Sequence, residues 1–325
     1  MENILSLAGQ NLISPIILSF ALGLGAALAR SDLTIPEAAA KAMSIYLLFA
    51  IGFKGGVSVS EHGVDLGLVT TMIAGVILSA AIPFAAFALL RVMTRMSVVD
   101  AAAVSAHYGS ISIVTFVAGN SVLTSQGIGF EGYMVAVAAA MEAPAILSAL
   151  WLVSRQGGGG RMDAHLWREI LLNASIVLLI GSFLIGWATG PRGMAEIQAF
   201  IVAPFKGVLC LFLLDMGLVA GRGLRGSRGV LSAGALGFGV LMPVIGAALG
   251  LIAGMILGLS PGGTVLLMTM AASASYIAVP AAMRVALPEA NPAIYLTLAL
   301  GVTFPFNLTL GIPLYLAAAT YLIGG

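Results

Sequence analysis

The chain has 325 residues, of which 60% are hydrophobic and 8% are charged, whereas roughly a quarter of the residues in a soluble domain are charged. No soluble fold of this length buries so much apolar surface, so the composition predicts an integral membrane protein. The net charge of +1 excludes a basic face for nucleic acid, and the single cysteine, Cys210, excludes an intrachain disulfide or a cysteine-based metal cluster.

Ten apolar runs are long enough to predict membrane spans. In the first half they cover approximately residues 13–29, 38–57, 66–90, 99–122 and 132–153. In the second half they cover approximately residues 170–189, 197–220, 230–258, 262–286 and 293–322. The first run lacks the basic start and the cleavage pattern of a signal peptide, so we predict that it is retained as a span.

The most polar connector divides the spans into two groups of five. Residues 154–168 contain four successive glycines, a composition typical of a flexible linker. We therefore predict a first five-helix repeat at residues 1–153, a cytoplasmic glycine-rich linker at 154–168 and a second five-helix repeat at 169–325.

Basic residues predict the orientation in the membrane. Because ten is an even number of spans, both termini lie on the same side of the membrane. If that side is the outside, eleven lysines and arginines lie in the inner loops. Only Lys54, Arg192 and Lys206 fall on the outer side. This bias follows the positive-inside rule, so we predict that both termini lie outside the inner membrane of a bacterial cell.

The fourth and ninth spans are interrupted by small and hydroxyl residues at matching positions, and Ser110 and Ser273 are 163 positions apart. A pair of broken helices, one in each half, is typical of transporters with a substrate site near the bilayer midplane. Helix N-termini and serine hydroxyls at such breaks favour an anion. The alternative is that the small residues only mediate helix packing. The candidate substrate-binding residues are Gly109, Ser110, Ser112, Ser273, Ala274 and Ser275.

Further matches between the halves keep nearly the same offset. Pro83 and Pro243 lie in the third span of each half, and Glu142-Ala143-Pro144 lies opposite Thr303-Phe304-Pro305 in the fifth. Because each half has an odd number of spans, the second half enters the membrane from the opposite face. The pattern therefore predicts an inverted-topology repeat.

Glu142 lies about eleven residues into the fifth span, near the midplane at ~1.5 Å per residue. A buried carboxylate at this depth is a candidate for a functional role. The expected roles are binding of a hard cation and uptake of a proton. The alternative is a structural partner for a backbone amide or for His107. The candidate cation-binding residues are Thr115, Glu142, Tyr276 and Thr303.

No enzymatic activity is predicted. The chain has no G-x-S-x-G, HExxH or Walker A motif, and Ser110 with His107 is the only conceivable pair of nucleophile and base.

Three segments resemble the family of sodium-dependent bicarbonate permeases, best known from cyanobacteria. The most specific segment runs from Ala272-Ser273-Ala274-Ser275 through Pro280, Arg284 and Pro288 to Ala290-Asn291-Pro292. Ile51-Gly52-Phe53-Lys54-Gly55-Gly56 is similar to the family's I-G-x-x-G-G segment, and Met141-Glu142-Ala143-Pro144-Ala145 is similar to its M-D-I-P-A. Tyr276 stands where the family has an aspartate, Lys54 where small polar residues are usual, and the linker is much shorter than in cyanobacterial members.

The resemblance implies an all-α fold of ten helices with two crossed discontinuous helices, the type shared with sodium/proton antiporters and bile-acid symporters. It also implies uptake of bicarbonate or a similar small anion coupled to sodium, with no other cofactor, by a homotrimer that a PII-like protein regulates. Spans three to five and eight to ten would form a moving core and the other four a scaffold, in an elevator-like mechanism. The alternatives are a symporter of a small organic carboxylate and a membrane receptor that does not transport.

Overall fold

The computed structural model describes residues 13–63, 65–155, 168, 172, 174–226, 231–276 and 278–323, in which all regular structure is helical and no strand occurs. Most of the predicted linker, residues 156–167, lies outside the described residues. The first half contains α1 (Pro15–Leu28), α2 (Glu37–His62), α3 (Leu66–Met93), α4 (Val98–Gly109), α5 (Ile113–Ser125), α6 (Met134–Ala140) and α7 (Pro144–Arg155). The second half contains α8 (Ala174–Ile201), α9 (Phe205–Gly226), α10 (Ala233–Leu257), α11 (Pro261–Ala271), α12 (Ala278–Ala286), α13 (Pro292–Leu296), α14 (Phe304–Phe306) and α15 (Ile312–Ile323).

Eight of the ten predicted spans contain a helical segment that is long and apolar enough to cross a membrane. The first and ninth do not meet this criterion in the described residues. Helix α1 has only 14 residues, and α11 has 11 residues before the chain leaves the helix. The prediction of an all-helical membrane protein is therefore confirmed, and the described residues contain eight candidate spans.

Helices α1 and α9 pack along each other, and so do α2 and α8. In each pair glycine lets the two backbones touch: a Cβ added at Gly23 would lie 2.0 Å from the Leu214 carbonyl oxygen, and one at Gly56 would lie 1.9 Å from that of Phe183. Any larger side chain at these positions would push the helices apart. Small residues of this kind are the usual basis of tight packing between membrane helices.

The fourth span, formed by α4 and α5, lies in the centre of the molecule. Every residue from Ala101 to Gly109 is buried, and the most apolar part of the span is completely enclosed. Helix α4 packs against α3 and α7, and α5 packs against α11. By contrast, α3 and α10 expose large apolar side chains such as Ile77 and Ile256 on their outer faces. A helix that is apolar all round and enclosed by others is the expected core of such a bundle.

The boundary between the sixth and seventh spans differs from the prediction. Helix α8 consists of two helical segments, the first of which ends next to the predicted boundary at residue 189 and the second at Ile201, and α9 begins at Phe205 rather than at residue 197. Inside α8 the chain kinks at Gly190, which has φ 57° and ψ −149°. Glycine adopts this conformation without strain, and Pro191 then starts a new helical segment because its fixed φ suits a first helical position.

The fifth span is also interrupted, although a continuous helix over residues 132–153 is predicted. Helix α6 ends at Ala140 and α7 begins at Pro144. Proline has no N–H to continue the helical ladder, and it disfavours a helical conformation in the preceding residue. The hydroxyl of Ser79 donates to the Met141 carbonyl at 2.7 Å, which satisfies an acceptor beside the interruption. The matching tenth span remains helical but contains two π-helical segments, Thr297–Thr303 and Asn307–Gly311.

Candidate functional site

The first break lies between α4 and α5, as the sequence predicts. Ser110 and Ser112 have extended backbones, and the Ser112 side chain caps α5 by accepting the Thr115 N–H at 3.2 Å. Helix α4 ends at Gly109, where an added Cβ would lie only 2.4 Å from a ring carbon of Pro83. The close approach of α3 therefore requires glycine at the end of α4, and the serine cap explains why the helix starts again at Ile113.

The second break lies between α11 and α12, and Ile277 within it is outside the described residues. The side-chain amide of Asn307 donates to the Ala272 carbonyl at 2.8 Å. Asn307 is itself held by the Tyr315 hydroxyl, which donates to its Oδ1 at 2.8 Å. Carbonyls released from a helix at membrane depth need such partners. Asn307 was not a sequence candidate, because only the tertiary contact reveals its role.

The two breaks bind each other directly. The Ser112 N–H donates to Ser273 Oγ at 2.8 Å, and Ser273 Oγ donates in turn to the Met270 carbonyl at 2.8 Å. The Ser275 N–H donates to the His107 carbonyl at 2.7 Å, and His107 Nδ1 lies 3.2 Å from the Ser275 carbonyl. Hydroxyl and backbone groups from segments about 160 residues apart thus meet in one place.

The candidate substrate residues are occluded in this conformation. Ser110 and Ser273 are 0% exposed and Ser275 is 2% exposed. Among the described residues, the Ser110 hydroxyl has no hydrogen-bond partner, and the Tyr276 hydroxyl forms no well-aligned hydrogen bond but lies within reach of the Ser112 side chain. A buried polar group without a partner is costly, so both hydroxyls are candidate ligands of a bound anion. Gly109 and Ala274 are buried in the same two breaks.

Among the described residues, no hydrogen bond joins the four candidate cation residues to one another. Thr115 is buried in the first turn of α5. Glu142 lies in the interruption of the fifth span and is 3% exposed, and its Oε2 has no hydrogen-bond partner among the described residues. The Thr303 hydroxyl is already engaged, since it donates to the Gly239 carbonyl at 2.7 Å and bonds to Tyr108. Tyr276 packs edge-on against the Phe304 ring, with 5.5 Å between ring centroids.

His107 has a packing role beside its bonds to Ser275. Its ring is fully buried and lies against the Tyr295 ring, with 4.4 Å between centroids. Neither His107 Nε2 nor Ser110 Oγ has a hydrogen-bond partner among the described residues, so no hydrogen bond joins these two atoms. No group of three or more metal-ligating side chains occurs in the described ranges.

Two carboxylates connect the broken helices to the other half at opposite ends of the spans. Asp100, in the first turn of α4, accepts the Asn291 N–H at 2.8 Å. Glu131, before α6, accepts both the N–H and the hydroxyl of Ser260 at 2.7 and 3.0 Å, and Ser260 caps α11. Sequence reasoning missed both contacts. The signal that indicates them is the pair of helix-capping serines, Ser97 and Ser260, which are 163 positions apart.

Comparison with known proteins gives one family. The model of the Na⁺-dependent bicarbonate transporter superfamily matches residues 15–320 of the chain. No curated protein matches the chain. The match confirms the resemblance found in the sequence and covers both broken spans.

Proposed function

Because the chain belongs to the Na⁺-dependent bicarbonate transporter superfamily, we propose that it is a secondary transporter that couples uptake of bicarbonate, or a similar small anion, to sodium. The observation that carries this proposal is the direct hydrogen bonding between the two breaks, Ser112 to Ser273 and Ser275 to His107. Irregular backbone at membrane depth is tolerated where it is enclosed by protein or lines a substrate cavity.

The proposed architecture is a ten-span inverted repeat in which the two discontinuous spans cross at their breaks. The offset of 160 to 163 positions between matching residues supports it. Further support comes from the carboxylate contacts, because Glu131 and Asn291 are 160 positions apart and each contacts the capped start of the other half's broken helix. An inverted repeat brings equivalent contacts to opposite membrane faces.

Anion recognition would use neutral donors. The first amides of α5, at Ile113 and Val114, have no acceptor within their own helix, and a helix start carries roughly half a positive charge. The Ser110 hydroxyl adds a donor that lacks a partner among the described residues, and the Tyr276 hydroxyl adds one that forms no well-aligned hydrogen bond there. Bicarbonate is a small planar anion with several acceptor oxygens, so converging donors suit it. The lack of a described lysine or arginine in the breaks would keep binding weak enough for release.

Sodium coupling would offset the cost of importing an anion. Each negative charge that moves into a cell with a negative interior costs about 2.3 kcal/mol per 100 mV of membrane potential. One cation transported together with each anion removes that cost. Glu142 supplies a buried carboxylate, and the hydroxyls near the breaks supply the oxygen ligands that hard cations prefer.

Transport would move a core of α3–α7 and α10–α15 against a scaffold of α1, α2, α8 and α9. The glycine contacts between α1 and α9 and between α2 and α8 support a rigid scaffold. A homotrimer assembled through this scaffold, and regulation by a PII-like protein, are proposals that rest on the family resemblance alone.

Uptake by purified protein in liposomes tests the proposal. We expect labelled bicarbonate to accumulate with an inward sodium gradient and not with choline in place of sodium. Formate and acetate serve as competitors. If bicarbonate uptake is weak and these carboxylates inhibit it strongly, the protein is a symporter of organic carboxylates. Binding of bicarbonate without any flux would indicate a receptor and would reject the transport proposal.

A further inference from the structure

A crevice of about 290 Å³ lies between α1, α5, α9 and the last span. Three of its lining residues mark helix ends: Ser14 caps the start of α1, Ser125 is the last residue of α5, and Lys206 is the second residue of α9. These three helix ends lie on the same side of the bundle, so the crevice lies toward one membrane face. In the predicted topology that face is the outer one.

The charge of the crevice favours anions. Among the described residues that line it, Lys206 is charged and none is acidic. Lys206 is exposed, and the hydroxyl residues Ser14, Ser121 and Ser125 add neutral polar groups. Cys210 lies one helical turn after Lys206, lines the same crevice, and is partly exposed. Residues four apart on a helix are neighbours on one face, with roughly 5–6 Å between their Cβ atoms.

A second, much smaller cavity of about 10 Å³ lies deeper along α5. Its lining is mainly apolar and joins three helices: Ile113, Val114 and Val117 of α5, Leu48 and Ile51 of α2, and Phe212 of α9. Five of the seven α5 residues that line the two cavities lie on one helix face: Ser125, Ser121, Ala118, Val117 and Val114. This face runs from the crevice to Ser112 at the break, about 20 Å away at 1.5 Å per residue.

We infer that the crevice is the outer entrance of the transport pathway, where Lys206 attracts a small monovalent anion and the apolar contacts around Ile113 and Phe212 close the way to the break. This inference rests on the proposed function and adds the entrance, its charge and its closure. Because Lys206 is exposed, its field is screened within about 8 Å at physiological ionic strength. It therefore affects the rate at which anions arrive rather than the chemistry at the break.

The single native cysteine makes the entrance testable without a cysteine-free background. Two impermeant thiol reagents of similar size and opposite charge are added from outside: sulfonatoethyl and trimethylammonioethyl methanethiosulfonate. Each rate of reaction with Cys210 is divided by the rate of the same reagent with free cysteine. At low ionic strength we expect this normalised rate to be at least threefold higher for the anionic reagent than for the cationic one. Lys206→Gln should remove this preference, and so should added salt. Labelling is followed by intact mass, which does not require transport.

Arg192→Gln is the matched control, because it removes an exposed cation of the same predicted face that does not line the crevice. It should leave the preference unchanged. Complete modification of Cys210 should also abolish bicarbonate uptake by blocking the entrance.

Equal rates for the two reagents, or a preference unaffected by Lys206→Gln, would overturn the inference. Full uptake after complete modification would overturn it as well. If the protein does not move bicarbonate at all, the proposed function fails, whereas charge-selective labelling that depends on Lys206 would still support an anion entrance.

Discussion

Single hydroxyls hold the two breaks together, and Ser273 shows this most clearly. Its Oγ accepts the Ser112 N–H and donates to the Met270 carbonyl, so one small side chain bridges both halves. It is completely buried, so a larger residue at this position would overpack the contact as well as removing the bridge.

The first prediction concerns this bridge. Ser273→Ala leaves the buried Ser112 N–H without an acceptor, so we expect a loss of about 1–3 kcal/mol in the free energy of unfolding. Ser154→Ala is the control, because Ser154 is exposed and its hydroxyl bonds only the Trp151 carbonyl one turn earlier. Its effect should stay within about 0.5 kcal/mol. Denaturation in detergent measures both, and equal effects would show that the bridge adds no stability.

Tyr276 allows binding to be separated from stability, because among the described residues its buried hydroxyl lies near the Ser112 side chain without forming a well-aligned hydrogen bond. Tyr276→Phe should therefore leave the melting temperature unchanged while raising the KM for bicarbonate severalfold. Tyr315→Phe is the matched control. It removes the bond to Asn307, so we expect lower stability, by about 1 kcal/mol, with KM nearly unchanged. An unchanged KM in Tyr276→Phe would remove this hydroxyl from the proposed site.

The third prediction concerns Glu142, whose buried carboxylate oxygen Oε2 has no hydrogen-bond partner among the described residues. Glu142→Gln keeps the shape and removes the charge, so the concentration of sodium that gives half-maximal uptake should rise severalfold. The KM for bicarbonate at saturating sodium should change much less. Sodium titrations of uptake compare the variant with the wild-type protein. Identical sodium dependence would leave Glu142 with a structural role only.

At the scale of helices, glycine determines which elements pack most closely. Helices α2 and α8 approach so closely at Gly56 that an added Cβ would lie 1.9 Å from the Phe183 carbonyl oxygen. We expect Gly56→Ala to separate the helices and to destabilise the protein by about 1–3 kcal/mol. Gly181→Ala, on α8, meets no atom within 4 Å and should be neutral or slightly stabilising. Thermal unfolding of both variants tests the pair, and similar melting temperatures would argue against a rigid contact.

Sequence patterns predicted some elements and missed others for identifiable physical reasons. The breaks at Ser110–Ser112 and after Ala271 were predictable, because glycine and serine interrupt two apolar runs at the same offset. The interruption at Glu142 was missed, since one proline in an apolar run also suits a kinked continuous helix. The π-helical segments and the bond from Asn307 to Ala272 depend on tertiary contacts that no local pattern encodes.

At the scale of the whole molecule, the charge distribution predicts orientation. Cysteines introduced at Ser60 and Gly158, each in a Cys210→Ser background, should react with an impermeant thiol reagent from opposite sides of the membrane. Intact cells should label the Ser60→Cys protein only, and inverted vesicles the Gly158→Cys protein only. Labelling of both in intact cells would contradict the predicted topology.

The bonds between the two breaks also set an order for biogenesis. Ser112 and the His107 carbonyl are synthesised about 160 residues before their partners, Ser273 and Ser275. At roughly 5–20 residues per second, the ribosome needs on the order of 10 to 30 s to reach those partners. Throughout that interval the first half lies in the lipid without these partners. The Ser112 N–H lacks its acceptor, Ser273, and the His107 carbonyl lacks its donor, the Ser275 N–H. The contacts between the two breaks are therefore completed late in synthesis, and neither half forms them alone.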